Sequence, residues 1–309
     1  MPRRLTLRQL EYLVAVGERG SVAQAARLLH VSSPSISAAL AEAEAELGLR
    51  LFLRRPARGL VPTPAGLRVL AAARDALLAA DRVAATAADL RETVAGPLAL
   101  GCLSSVAPLV LPELAARFAA AHPEVRLRHE EGDHESLTGG LREGRLDCAL
   151  TYDLGLPPGL RFEALAPVPP HALMAPDHPL AARAALTPAD LSPHPMVLLD
   201  LPGSAAYFLS AFGAGAPCPP VAARTRDMAL ARSLAANGFG FLLVNLRPLS
   251  DLAPDGRRLV ARPLLGGPRT LRLGLARPEG ARPPRTVAAF EDHARALVTP
   301  ESIPGARTD

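Results

Sequence analysis

The 309-residue chain has no lysine and no tryptophan, and it has only three tyrosines and three cysteines. Aromatic residues make up 4% of it, which argues against a surface that grips sugars or bases by ring stacking. Cys102, Cys148 and Cys218 fall at none of the short spacings of a metal knuckle or a disulfide framework, and an odd, scattered set fits a reducing compartment. No run approaches the roughly 20 apolar residues of a membrane span. Met1-Pro2-Arg3-Arg4 is not followed by the apolar core of a signal peptide. The expectation is a cytoplasmic protein without a membrane partner.

What remains is a long, moderately apolar chain. Its length suggests two or three structural units rather than one core. The net charge of +4 is too mild to indicate a nucleic-acid partner by itself. Residues 1–58 alone, however, hold nine arginines against five glutamates, an excess equal to that of the whole chain. Arg54, Arg55 and Arg58 are bunched within it, where guanidinium groups would meet phosphate; a solvated charged loop is the alternative.

The segment Ser21–Phe52 has the pattern of two short helices joined by a tight turn. Ser21-Val22-Ala23-Gln24 has the form of a capping box, and Val22, Ala25, Ala26 and Leu29 recur at helical spacing. A turn at His30-Val31-Ser32 leads to Ser33-Pro34, which reads as a hydroxyl cap followed by Pro at the first helical position. Ile36, Leu40, Ala43 and Leu47 share one face, while Ser33, Ser35, Ser37, Ala38 and Ala41 fit the other. The pair forms a helix-turn-helix, whose second helix enters the DNA major groove N-terminus first.

The flanks extend the pattern. Thr6-Leu7-Arg8-Gln9 opens a preceding helix with a capping box. Leu47-Gly48-Leu49-Arg50-Leu51-Phe52 precedes the arginine group, and Thr63-Pro64-Ala65-Gly66 follows it. Over about 65 residues the run resembles the winged helix-turn-helix of LysR-type transcriptional regulators. That resemblance implies DNA contacts from Arg8, Ser33, Pro34, Ser35, Ser37, Arg54, Arg55, Arg58 and Thr63. Arg54, Arg55, Arg58 and Thr63 would touch phosphate, and Ser33, Pro34 and Ser37 would lie nearest the bases. Family members commonly carry Gln before the Pro and a basic residue after the position of Ser37; this chain has Ser33 and Ala38. Base discrimination is therefore expected to rest on few hydrogen bonds and on DNA shape.

From Gly66 to about Thr93 the chain is rich in alanine, a strong helix former. Leu70, Ala73, Leu77, Ala80, Ala84 and Ala87 follow steps of three and four, the seam of a coiled coil that would pair two subunits. Gly96-Pro97 breaks this helix. Beyond it, strands near 98–102, 125–130 and 146–152 alternate with helices near 109–121 and 136–143, the rhythm of parallel β-α-β units. Leu111-Pro112-Glu113-Leu114, His122-Pro123-Glu124-Val125 and Leu141-Arg142-Glu143-Gly144-Arg145-Leu146-Asp147 resemble the sensor domain of the same family. The implied fold class is an N-terminal all-α winged helix-turn-helix with a long linker helix, then an α/β two-lobed domain like a type 2 periplasmic binding protein. The expected boundaries are 1–63 for the DNA-binding domain, 64–94 for the linker helix, 95–299 for the effector domain and 300–309 for a tail. Lobe I would comprise about 95–166 and 268–299, and lobe II about 167–267.

In such α/β lobes, ligands gather at the carboxyl ends of strands and at helix N-termini. Ser104 and Ser105 follow the first strand; Thr151 and Asp153 end the third. Ser204, Thr225, Arg226 and Asn245 come from the other lobe. These eight residues are the candidate site for a small, anionic effector. The alternative is that the serines are ordinary helix caps and Arg226 pairs with Asp227. The run His129–Glu135 contains metal-ligand residue types, but Asp133 is better explained as a helix cap, so neither a metal nor a cofactor is expected. Cys102 and Cys148 fall in core strands and Cys218 in a loop, which leaves a thiol-based sensor as a rival reading. A second rival is a metabolite-binding or catalytic α/β protein with a helical interaction head, although no catalytic constellation appears. Expected partners are double-stranded DNA, a small-molecule effector and further copies of the chain, as a dimer or a dimer of dimers.

Overall fold

Thr6 and Gln9 exchange side-chain and backbone hydrogen bonds and so start the first helix of the computed structural model, which describes residues 5–55, 59–90, 93–213, 216–280 and 282–303. The chain divides into two compact units. In the first, α1 (Leu7–Arg19), α2 (Val22–Leu28) and α3 (Ser33–Leu47) form a three-helix cluster. The antiparallel hairpin of β1 (Phe52–Arg55) and β2 (Gly59–Pro62) follows, and then α4 (Pro64–Leu90). Leu13, Val16, Ala25, Ile36, Ala43 and Leu51 are at or near zero exposure and make the head's core. The hairpin is anchored by Glu44 of α3, whose carboxylate accepts the backbone N–H groups of Leu51 and Phe52.

Two sequence expectations change here. Ser21 caps α2 through the Gln24 N–H, as its spacing predicts. The cap of α3, however, is Ser32 rather than Ser33. His30 adopts the left-handed region at φ 53°, which turns the chain one residue early. Ser32 is then the last extended residue, and its hydroxyl accepts from Ser35 N–H at 3.2 Å. The seam of α4 is also revised. Leu70 and Ala73 are already buried in the monomer, at 2% and 3% exposure, so they are closed to a second subunit. Leu70 belongs to the head's core and lies against α1 at Gly17, where an added Cβ would come within 2.6 Å of its Cδ1. Leu77 and Ala80 are half-buried, and the side chains of Ala84 and Ala87 lie outside the described residues. The exposed apolar positions are instead Leu67 and Ala71, then Ala79 and Val83, each pair four residues apart with Asp75 between the pairs.

The second unit has two sheets. The first is built from β3 (Gly96–Leu103), β4 (Val125–Gly132), β5 (Cys148–Tyr152) and β6 (Leu160–Val168), together with a strand from the far end of the chain. The helices α5 (Ala107–Ala121) and α6 (His134–Arg142) connect the early strands, which pair in parallel. The chain then leaves for the second sheet. Its elements are β7 (His171–Met174), α7 (Pro188–Leu191), β8 (Met196–Leu199), α8 (Ser204–Leu209), β9 (Val221–Thr225), α9 (Met228–Ala236), β10 (Phe241–Val244) and β11 (Val260–Pro263). It returns as β12 (Leu271–Pro278) and closes with α10 (Arg285–Leu297). Strand order is β4-β3-β5-β12-β6 in the first lobe and β11-β7-β10-β8-β9 in the second. The returning β12 is antiparallel to both its neighbours, so the first sheet is mixed rather than wholly parallel.

The residue pattern does not mark β6 or β11 as a strand. Both are edge strands, and both contain a proline, Pro167 and Pro263. An edge position tolerates the missing N–H that would rule out a central strand. With no tryptophan available, Phe118 and Phe290 fill the centre of the first lobe, edge to face with centroids 5.0 Å apart.

Candidate functional site

In the head, the N-terminal face of α3 is open. Pro34, Ser35, Ser37, Ala38 and Ala41 are exposed and Ser33 is half-buried, while Ile36, Ala39, Leu40 and Ala43 face the core. The Ser35 hydroxyl is held by the Ser32 cap at 2.7 Å, which leaves Ser33 and Ser37 as the free hydroxyls of this face among the described residues. Arg8 is tied to the head, its Nε donating to the Tyr12 phenol at 2.7 Å with the guanidinium carbon 5.7 Å from the ring centroid. Arg54 is exposed on β1, Arg55 is on the same strand, and Arg58 lies outside the described residues. Thr63 has a structural task. Its hydroxyl donates to Arg50 O at 2.8 Å and accepts from Gly66 N–H at 2.9 Å, so it caps α4 and closes the hairpin.

In the two-lobed unit, Ser104, Ser105, Thr225 and Arg226 line one groove of about 610 Å³ that has walls from both lobes. A narrower cavity of about 20 Å³ lies deeper, lined by Ser105, Ser204, Asn245, Tyr152, Tyr207 and Phe208 among others. Six of the eight candidate residues therefore meet at two connected depths through Ser105. At the groove, Arg226 of the second lobe donates to Asp133 of the first at 3.2 Å, not to its neighbour Asp227. Asp227 instead caps α9, taking the Ala229 and Leu230 N–H groups. Asp133 accepts the Ser136 N–H, and that bond together with the Arg226 charge holds its carboxyl below the usual range.

The other two candidates are spent on structure. Thr151 is 1% exposed and its hydroxyl meets His134 Nδ1 at 3.2 Å. Burial pushes the His134 pKa down. Asp153 binds the returning chain: one oxygen takes the Arg272 N–H at 2.9 Å and the other meets Arg272 Nε at 2.9 Å and Arg269 Nη1 at 3.0 Å. Burial opposes its charge, but the Arg272 backbone and then the two guanidinium groups prevail, so its pKa is lowered. Ser104 also has little left to offer, since its N–H and hydroxyl both donate to Gly132 O. Asn245 is 4% exposed, with Nδ2 donating to Val168 O at 2.9 Å and to the Tyr207 phenol at 3.0 Å.

The sequence reading missed the aromatic lining and the part Asp133 plays across the lobes. The adjacent aromatics Tyr207-Phe208 in a chain so poor in rings were the signal for the first. The second depends on register between distant segments and had no local signal. The groove offers one cationic head, Arg226, with Ser105 and Thr225 beside it, and an apolar, ring-lined interior beneath.

A helix-turn-helix head with an exposed recognition helix and wing, followed by a two-lobed α/β unit with a groove between its lobes, defines a ligand-responsive DNA-binding regulator. Residues 7–67 match the bacterial regulatory helix-turn-helix protein, lysR family, and residues 91–299 match the LysR substrate binding domain. The chain belongs to the LysR family of transcriptional regulators. It is 32% identical over 94% of its length to the transcriptional activator protein LysR of Escherichia coli, covering 93% of that protein. It is 29% identical to the dual regulator OxyR of the same organism, over 82% of each. The crystal structure of HinK, a LysR family regulator from Pseudomonas aeruginosa, matches at 35% identity and a TM-score of 0.63, covering 95% of this chain and 99% of that one. Among the described residues no helix is long and apolar enough to cross a membrane.

Proposed function

We propose that this regulator reads DNA through Ser33, Pro34 and Ser37 at the start of α3, with Arg54, Arg55 and Arg58 on the wing against phosphate. We further propose that a small anion seated between the lobes controls it. The observation that carries the second part is the Arg226–Asp133 ion pair at the groove. An effector carboxylate competes with Asp133 for the guanidinium, while an apolar body lies along Pro108, Leu201 and Met228 on the groove wall. The ligand class is thus a small organic acid with an apolar portion. Displacing Asp133 changes how the lobes are held together, and that change is what the DNA-binding heads sense.

The division at residues 63, 94 and 299, a cytoplasmic location and a non-enzymatic role accompany this reading. A second copy is placed along the exposed α4 positions Leu67, Ala71, Ala79 and Val83, so that two heads reach two half-sites separated by whole helical turns. The test is fluorescence anisotropy of the full chain on the DNA upstream of its own gene, against scrambled DNA, over a range of salt and in the presence of a panel of small organic acids. Preference for the native DNA, altered by one acid in the wild type and not in Arg226→Gln, supports the whole reading. Equal binding to scrambled DNA rejects specific recognition, and a response that survives Arg226→Gln moves the effector elsewhere.

A further inference from the structure

The second lobe has another concavity, none of whose lining residues belongs to the groove or the cavity beneath it. It lies where Leu173 of β7, Arg232 of α9 and Ala261 of β11 meet the 247–251 loop, with a volume of about 80 Å³. That is room for two or three waters at ~30 Å³ each, or for one small polyatomic ion.

The two arginines of this pocket, Arg232 and Arg247, have no carboxylate within ion-pair distance among the described residues. Arg232 donates through Nη2 to Leu252 O at 2.6 Å, its one acceptor there. Its Nε is shut off from solvent with no acceptor among the described residues. A guanidinium partly withdrawn from water without an anion is costly, and desolvation lowers the pKa of Arg232 accordingly. Arg247 is exposed and makes no hydrogen bond or ion pair with a described residue. The acid at the rim, Asp251, is engaged by Arg258 at 2.7 Å and so does not neutralise either arginine. Among the described residues, the pocket therefore holds two guanidinium groups and no carboxylate paired with either of them.

We propose that this pocket binds a phosphate group, either as the free ion or as a phosphomonoester, between Arg232 and Arg247. Guanidinium forks match tetrahedral oxyanions in geometry as well as charge, and Ser250 adds a hydroxyl donor at the rim. The site is independent of the inter-lobe groove, so the regulator carries a second input of different chemistry from the organic acid.

The test is calorimetric titration of the full chain with inorganic phosphate and with glycerol 3-phosphate, using chloride at matched ionic strength as the control. Wild type is expected to bind at least one of the two phosphates, with tighter binding identifying the free ion or the ester as the ligand. Arg247→Gln, an exposed change that leaves the fold intact, is expected to weaken binding tenfold or more, and Arg226→Gln to leave it unaltered. Failure of the groove reading therefore does not touch this one. Absence of phosphate binding above the chloride control, or an Arg247→Gln protein that binds as wild type, overturns the proposal.

Discussion

Asn245 and Tyr207 form one hydrogen-bonded pair that pins both passages between the lobes. Asn245 Nδ2 donates to Tyr207 Oη and to Val168 O at the end of β6, while the Tyr207 phenol donates to Arg269 O on the way back. The outgoing and returning chains are thus held to the same two side chains of the second lobe. Removal of the phenol in Tyr207→Phe leaves Arg269 O and one Asn245 N–H short of a partner. The expected cost is about 1–3 kcal/mol, read as a lower urea midpoint at unchanged slope. A midpoint equal to wild type would show that the pair does not support the crossovers.

Asp153 makes stability depend on acid. Its folded pKa is depressed, so its contribution is complete above the unfolded carboxylate pKa of about 3.9 and is lost as pH falls from there through the folded value. Asp153→Asn is expected to destabilise the protein at neutral pH and to flatten the acid limb of its stability profile. Parallel wild-type and mutant curves below about pH 4 would contradict this.

At the crossing of α1 and α4, Leu70→Ala is expected to cost about 2–5 kcal/mol through the cavity it leaves in the head's core. Gly17→Val has the opposite defect, since its Cβ falls 2.6 Å from Leu70 Cδ1. The double mutant Gly17→Val/Leu70→Ala should recover part of the loss, as a thermal melt of the four proteins would reveal.

Ser32 and Ser33 separate stability from recognition. Ser32→Ala removes the α3 cap and is expected to cost ~1 kcal/mol. Ser33→Ala leaves the melting temperature unaltered and weakens binding to the native DNA but not to scrambled DNA. A reversal of the two effects would place the cap where the sequence pattern put it.

The three cysteines are free, and only Cys218 is exposed. Burial pushes the Cys102 thiol up to about 12 and that of Cys148 upward as well, which suppresses the thiolate needed for reaction. Native alkylation followed by mass spectrometry should label Cys218 alone. Labelling of Cys102 or Cys148 at a similar rate would contradict their burial.

The head was legible because its signals are local. Caps at Thr6 and Ser21, apolar spacing in α2 and α3, and the Gly and Pro stops are each set within a few residues. The cap of α3 was displaced by one because the left-handed turn at His30 is a choice of backbone region that its side chain does not announce. The seam of α4 misled for another reason. Leu70 obeys a coiled-coil spacing, yet an intramolecular partner, α1, takes it first. In the lobes, Ser105, Ser204, Thr225 and Arg226 line the groove or the cavity, and their places at strand ends and helix starts are visible in sequence. Asp133 opposite Arg226 and Asn245 opposite Tyr207 are not, since their pairing is fixed by how distant segments stack.

The position of β12 also sets a timetable. It lies between β5 and β6 in the first sheet, although the whole second lobe separates it from them along the chain. A ribosome therefore delivers every strand of the second sheet before the first sheet receives the strand that joins its two parts. The second lobe has all its strands in hand as soon as Pro263 emerges, while the first waits with the facing edges of β5 and β6 unpaired until Leu271–Pro278 arrives. A chain released before that strand holds two sheet edges open to aggregation, and the lobe made first is the one finished last.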